Sequence, residues 1–348
     1  MDSAPFTPGF QRAGPIAQMN SLLREFGVAP ADVASGTGID LEALTPDSRI
    51  PFGAVLKLLE QAVELTGCPH FGLLLGSRYD VAAHGLITRF AAQAETLRQA
   101  LLAFVNLQPG YSSGATVYLS RLRPDFLFGY GIYDRSSLGS AQLYDCVLAF
   151  GCNFVRELTL GEISPLEILF CHREPEILAP YWEVMKVPMR FNQTQSGLLI
   201  ASADIDHTLP TSRKSERGKD VVELRALRSS EASAGGRLRH LIRPQLLAGD
   251  ASMSGASKAL GQIPRTLRRH LAAEGLTFEL IRDDVRHVLA CELLALTDLP
   301  IGEIGASLAF SNPPAFVRAF RRWSGKTPSD WRTSLGQSGD AARPMPRI

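Results

Sequence analysis

Two short segments near the C-terminus open on proline and then gather arginine on one side, and a 19-residue stretch of helical periodicity lies between them. Proline lacks an N–H and has a fixed φ, so a helix accepts it at its first turn and resists it further in. In AFSNPPAFVRAFRRWSGKTPSDWR (309–332), Pro313 and Pro314 therefore start a helix, with Ser311 or Asn312 as its cap. At about 100° per residue, Phe316, Ala319, Phe320 and Trp323 share one face, and Pro314, Arg318, Arg321 and Arg322 lie opposite. Gly325 ends this helix, and Pro328 is expected to prevent its resumption. In PRTLRRHL (264–271), Arg265, Arg268 and Arg269 recur at i, i+3 and i+4 while Leu267 and Leu271 point the other way. Arginines this close repel one another, so the charge calls for a partner.

Each basic segment follows a shorter helical one: ASKALG (256–261), and IGEIGASLAF (301–310) with Ile301, Ile304 and Leu308 inward. Two short helices, a tight turn and a basic second helix make a helix-turn-helix. Between the two units, FELIRDDVRHVLACELLAL (278–296) places Phe278, Ile281, Val285, Val288 or Leu289, Leu293 and Leu296 at helical spacing behind a Thr277 cap. Nineteen residues span about 28 Å, close to the ~34 Å between successive major grooves on one face of B-DNA. The implied partner is double-stranded DNA. The plain alternative for either basic segment alone is an amphipathic helix with a solvated face.

Charge follows the same division. Residues 1–235 carry 20 Lys+Arg against 25 Asp+Glu, whereas residues 236–335 carry 14 against 9. A basic C-terminal third behind an acidic remainder restricts nucleic-acid binding to that third. Cys68, Cys146, Cys152, Cys171 and Cys291 form no CxxC pair, and no Cys/His cluster has zinc spacing. They read as buried thiols of a reducing compartment. The opening MDSAPFTPGFQRAG has no basic or apolar region of a signal peptide, and no apolar run has bilayer length, so a cytoplasmic protein is expected. No metal or cofactor is expected: the histidines lack HExxH spacing and no glycine-rich loop follows a strand. GYSSG (110–114) matches the G-x-S-x-G nucleophile elbow with Ser112 as nucleophile. The alternating ATVYLSRL after it reads as a strand where an elbow needs a helix, and no enzyme is expected.

The polar, charge-dense HTLPTSRKSERGKD (207–220) and SSEASAGG (229–236) place a linker at 207–236. Residues 1–12 and 336–348 read as flexible tails, 13–206 as one domain and 237–335 as a second. The first mixes helical periodicity at 53–66, 94–105 and 141–160 with strand alternation at 115–122, 125–133, 165–172 and 197–205. The fold class is thus an α+β domain with helices on one antiparallel sheet, followed by an all-α domain with two helix-turn-helix units joined by a linker helix.

LPIGEIGASLAFSNPPAFVRAFRRWSGKTPSDWR resembles the C-terminal signature of AraC/XylS-type transcription regulators, and RTLRRHLAAEGLTFELIRDDVRHVLACELL is similar to their first unit and linker helix. The resemblance implies DNA-facing positions at Arg265, Thr266, Arg268 and Arg269, and at Asn312, Pro313, Pro314, Val317, Arg318, Arg321 and Arg322. Arg318 can bind guanine bidentately, and Arg321 and Arg322 suit phosphate. The chain departs from the pattern at Ile263, often Ser, at Ala309, usually Gly, and at Pro314, commonly a small polar residue. RIPFGAVLKLLEQAVELTGCPHFGLLLG (49–76) and SPLEILFCHREPEILAPYWEVMKVPMRFNQTQSGLLIASADIDHTLP (164–210) resemble the arabinose-binding-like effector domain of the ornithine-utilisation and virulence-regulator group. That implies a small-molecule effector, a homodimer and contact with RNA polymerase as an activator. Tyr111, Tyr130, Tyr133 and Tyr144 are candidates for a pocket wall, and Arg89 and His172 for anion partners. The plain reading makes the aromatics core, His172 structural and Arg89 an exposed helix residue.

Overall fold

The computed structural model describes residues 9–81, 85, 88, 91, 93–134, 139–210 and 233–340. In chain order the elements are β1 (Phe10–Arg12), α1 (Met19–Glu25), α2 (Pro30–Val33), β2 (Arg49–Pro51), α3 (Phe52–Thr66), α4 (Phe71–Arg78), α5 (Leu97–Leu107), β3 (Ala115–Leu122), β4 (Asp125–Ile132), α6 (Ser140–Leu158), β5 (Glu167–Leu169), α7 (Ala179–Met185), β6 (Met189–Arg190) and β7 (Ser196–Ile200). The C-terminal part consists of α8 (Ala234–Leu247), α9 (Met253–Ala259), α10 (Pro264–Ala273), α11 (Phe278–Leu296), α12 (Ile301–Ser307), α13 (Pro313–Ser324) and α14 (Pro328–Asp340).

The first domain is the expected α+β arrangement. Its main sheet has the order β3-β4-β7-β5-β6, antiparallel except for a parallel β5–β6 pair, and β1 and β2 form a separate two-stranded sheet. The parallel pair was not legible: strands of three and two residues are too short to show a period. Along β4, Phe128 and Tyr130 face the helices, where Phe104 of α5 meets Phe128 edge-on. Tyr118, Leu127 and Leu169 cluster on the opposite face. Helices α4 and α6 cross closely, because Gly72 and Gly76 leave room for α6 carbonyls that a Cβ would meet at 2.1 and 2.0 Å.

Several boundaries move. Phe10–Arg12 pairs with Arg49–Pro51, so ordered chain begins inside the expected 1–12 tail. Thr208 bridges Thr96 and Leu209 is buried, which ties the start of the expected linker into the first domain. Residues 211–232 of that linker lie outside the described residues. Helix α8 starts at Ala234, its amides held by Ser233 Oγ and the Glu274 carboxylate. Pro328 does not stop the chain from being helical. Thr327 accepts from the Asp330 N–H, Pro328 opens α14, and that helix runs past 335 to Asp340.

The two domains meet around one buried guanidinium. Arg243 of α8 donates from Nη1 to the Ile132 carbonyl of β4 (2.7 Å) and from Nη2 to both Glu292 oxygens of α11 (2.9 and 2.8 Å). Tyr144 of α6 donates its hydroxyl to Glu292 and accepts from the Ile132 N–H. Gly131 makes the approach possible, since a Cβ there would lie 2.0 Å from Arg243 Nε. A second contact lies at the far end of α11. Arg173 of the first domain donates to the Ala295 and Thr297 carbonyls and pairs with Asp298, whose N–H donates to Asn192. Gly131→Ala should lower the stability of the full chain by about 1–3 kcal/mol, measured as the urea midpoint. An unchanged midpoint would mean that the guanidinium is not fixed there.

Candidate nucleic-acid interface and effector cavity

Both helix-turn-helix units form from the expected segments. In the first, Ser252 caps α9 through the Gly255 N–H and α10 begins at Pro264, with Leu267 and Leu271 buried. In the second, Ile304 and Leu308 are buried beneath Phe316 and Phe320 of α13. Linker helix α11 spans 278–296 as expected, and Thr277 Oγ1 accepts from the Leu280 N–H at 3.1 Å. Its buried side carries Phe278, Ile281, Val285, Val288, Leu289 and Leu293.

The arginines of the domain fall into two groups. Arg265, Arg268 and Arg269 on α10 and Arg318 and Arg321 on α13 are exposed and form no ion pair among the described residues. Five unpaired guanidinium groups thus project from two short helices flanking one 19-residue helix. Arg322 belongs to the other group. It pairs with Asp283 of α11 at 2.9 Å and braces α13. Arg286 donates to the Leu308 and Ala309 carbonyls and covers the Phe310 ring at 4.7 Å. Arg332 donates to the Leu294 and Leu299 carbonyls. These are cations at helix C-termini, where the last carbonyls lack helical partners.

Asn312 caps α13, its Oδ1 accepting from the Ala315 N–H at 2.9 Å. Pro313 and Pro314 follow at the first two helical positions, exposed, and Val317 is half-buried beside Arg318. Thr266 is half-buried on α10. The departures from the pattern have visible consequences. Ile263 precedes α10 with no side-chain cap and is 65% exposed. Ala309 sits at φ +58°, the left-handed residue that ends α12, where glycine carries no Cβ penalty.

The first domain contains a cavity of about 90 Å3 between α5, α6 and the β3–β4 hairpin. Tyr111 and Tyr130 line it, as expected. Tyr133 and Tyr144 do not. Tyr133 points into the C-terminal domain, donating to the Arg239 carbonyl at 2.7 Å, because β4 ends at Ile132 and alternation turns the next side chain away. Tyr144 is held by Glu292 and Ile132, but its ring meets that of Tyr130 edge-on at 5.9 Å, one layer behind the cavity wall. His172 faces a separate cleft. Its Nε2 lies 3.0 Å from Asp145 and its Nδ1 2.8 Å from the Arg173 carbonyl, so both nitrogens have protein partners. Burial alone would lower the His172 pKa; Asp145 outweighs it, and the pKa is raised. Arg89 lies outside the described residues. Ser112 is fully buried, its hydroxyl donates to the Phe10 carbonyl, and β3 follows it, which is not an elbow. The sequence reading missed Gln11 and Gln108 on the cavity wall and the Arg243–Glu292 pair. Glu292 had a signal: a carboxylate set among Cys291, Leu293 and Leu294 on the inward side of a helix.

A double helix-turn-helix with exposed basic helices, carried behind an α+β domain that holds a cavity, is the architecture of a DNA-binding protein with a separate cavity-bearing domain. Residues 27–209 match the family model described as the arabinose-binding domain of AraC transcription regulator, N-terminal, and residues 256–334 match a helix-turn-helix domain. The chain belongs to the AraC family of transcription regulators, and is a DNA-binding regulator with an effector-binding domain. It is similar to the ornithine utilization regulator of Pseudomonas aeruginosa, with 28% identity over 91% of this chain and 96% of that one. It is similar at 28% identity to the transcriptional regulator VirS of Mycobacterium tuberculosis, over 91% of this chain and 92% of that one. The crystal structure of the transcriptional regulator CdpR from Pseudomonas aeruginosa aligns over 92% of this chain and 96% of that one, at 20% identity and a TM-score of 0.43.

Two substitutions test the local chemistry of the second unit. Ala309→Gly should raise stability by about 0.5–1 kcal/mol, since relief of the left-handed alanine exceeds the added chain entropy. Asn312→Ala should lower it by about 1 kcal/mol through loss of the cap. Urea midpoints of the two variants should therefore move in opposite directions. Movement of both in the same direction would contradict the assignment of the turn.

Proposed function

We propose that the protein is a small-molecule-responsive activator that reads two successive major grooves with α10 and α13. The observation that carries this reading is the set of five exposed, unpaired arginines on those helices. A DNA duplex supplies the opposite charge that no described residue brings to these arginines, and at about 28 Å α11 has the length to set two helices near the ~34 Å groove repeat. Arg318 reads guanine. Arg265, Arg268, Arg269 and Arg321 meet phosphate or base edges, with Thr266, Pro313, Pro314 and Val317 against the groove. Asn312 and Arg322 act first on the protein, as cap and brace, and position the helix.

The cavity of the first domain holds the effector, with Tyr111 and Tyr130 in its wall. Occupancy changes the packing of Tyr130 on Tyr144, and Tyr144 passes the change to Glu292 and Arg243 and so to the attitude of α8 and α11. The protein acts in the cytoplasm, as a homodimer that contacts RNA polymerase, and is not an enzyme. No helix among the described residues is long and apolar enough to cross a membrane.

The test is binding to DNA taken from upstream of the protein's own or adjacent genes, against scrambled competitor, across a salt series. Arg318→Ala should cost about 1–3 kcal/mol, roughly 5- to 150-fold, and relax the preference at one base position. Arg321→Ala should weaken binding to both DNAs alike and reduce the salt slope by about one. If wild-type protein binds its own fragment and scrambled DNA equally, with and without added metabolites, the reading fails.

A further inference from the structure

The cavity wall has a definite chemistry. Among the described residues it carries no charged side chain, and its faces are aliphatic and aromatic, with Phe104, Phe128, Phe150, Tyr111 and Tyr130 supplying the rings. Two polar groups stand out. Gln108 is only 5% exposed, and its Oε1 accepts no hydrogen bond from the described residues, while its Nε2 donates to the Ala115 carbonyl at 3.4 Å and so sets which end is free. Gln11, carried into the same wall by β1, also has a buried Oε1 without a partner among the described residues. Buried acceptors left unpaired are rare in native proteins and costly. Two in one small cavity indicate a molecule that supplies donors.

We propose that the effector is a small, uncharged aromatic molecule with a hydroxyl or amide N–H donor at one end, its ring against Phe104 and Phe128 and its donor on Gln108 or Gln11. This deepens the regulator reading and rests on it for the role of the cavity. The argument is one of complementarity. A carboxylate or ammonium group would lose its hydration against a wall whose described residues offer no counter-charge. An aromatic body gains from edge-on contacts of the kind already made between Phe104 and Phe128, whose centroids lie 5.8 Å apart. A donor relieves the unpaired amide oxygens, which a pure hydrocarbon leaves unpaired. A dry cavity of about 150 Å3 takes up benzene, so a cavity of about 90 Å3 bounds the ligand to a single small ring, part of which extends through the pocket mouth.

The test uses the full-length protein and three probes of one shape, by isothermal titration calorimetry at pH 7. p-Cresol carries the donor and no charge, toluene lacks the donor, and 4-hydroxybenzoate adds a carboxylate. p-Cresol should bind saturably with one site per chain, toluene about tenfold more weakly or worse, and 4-hydroxybenzoate with no measurable heat at the same concentrations. Gln108→Leu should bring p-cresol down towards toluene while leaving toluene unchanged. Equal affinity of wild-type protein for p-cresol and toluene would overturn the donor assignment. Binding of 4-hydroxybenzoate as tight as that of p-cresol would overturn the neutral class. Absence of p-cresol binding would mean that water satisfies the two glutamines and the proposal is wrong. The same preparation assayed on its own upstream DNA separates the two levels. With DNA preference intact, failure of the probes removes only the ligand assignment, whereas loss of that preference removes the regulator reading.

Discussion

One buried guanidinium organises this molecule. Arg243 is enclosed, with a side-chain exposure of 1%, against a Glu292 carboxylate exposed by 4%. Burial by itself would lower the Arg243 pKa, but Glu292 and the surrounding tyrosine hydroxyls outweigh it and hold the group charged. Removing one member of such a pair typically costs about 3–5 kcal/mol, because the other is left charged and dry. The cluster draws on both domains. The arginine and the glutamate come from α8 and α11, while the Ile132 carbonyl and the Tyr144 hydroxyl come from the α+β domain. Gly131 is the complementary absence that makes room for the arginine.

The rest of the C-terminal architecture follows from how arginine is distributed. Arg173, Arg286 and Arg332 are spent on backbone carbonyls at helix ends, and Arg322 on Asp283, so the linker helix and the second unit are held by charged hydrogen bonds as well as by packing. What is left over on α10 and α13 is free charge on an ordered scaffold. Side chains that need not pair within the protein are the ones available to a phosphate backbone. The aromatic residues of α13 have the matching inward role: Phe316 and Phe320 lie edge-on to each other, and Trp331 of α14 closes over Phe320.

Helices α10 to α13 were legible because their signals are local: prolines at first positions, Thr277 and Asn312 as caps, and leucines at helical spacing; α14 was not, because Pro328 reads as a stop when it opens the next helix. The β3–β4 hairpin was legible for the same reason, since two eight-residue alternating runs flank a short turn. Interactions over long sequence separation were not. Nothing near Tyr144 announces a partner 148 residues later, and the assignment of Tyr144 to a pocket wall followed from composition alone. Tyr133 was misplaced by the same reasoning, since alternation sets it on the face opposite Tyr130 and Ile132, away from the cavity. Gln108 was invisible because an amide in a helix-end QPG sequence reads as surface, and only the packed fold buries it.

The account stands or falls on whether the buried cluster carries information between the cavity and the recognition helices. Tyr144→Phe keeps the ring and removes one buried hydroxyl, on a helix of the α+β domain. Its affinity for the upstream fragment, measured by fluorescence anisotropy with the fold checked by circular dichroism, is the direct test. Coupling through this cluster predicts a change of about fivefold or more relative to wild type, in line with a coupling free energy of roughly 1–3 kcal/mol. An affinity and salt slope identical to those of the wild type in a fully folded variant would contradict it.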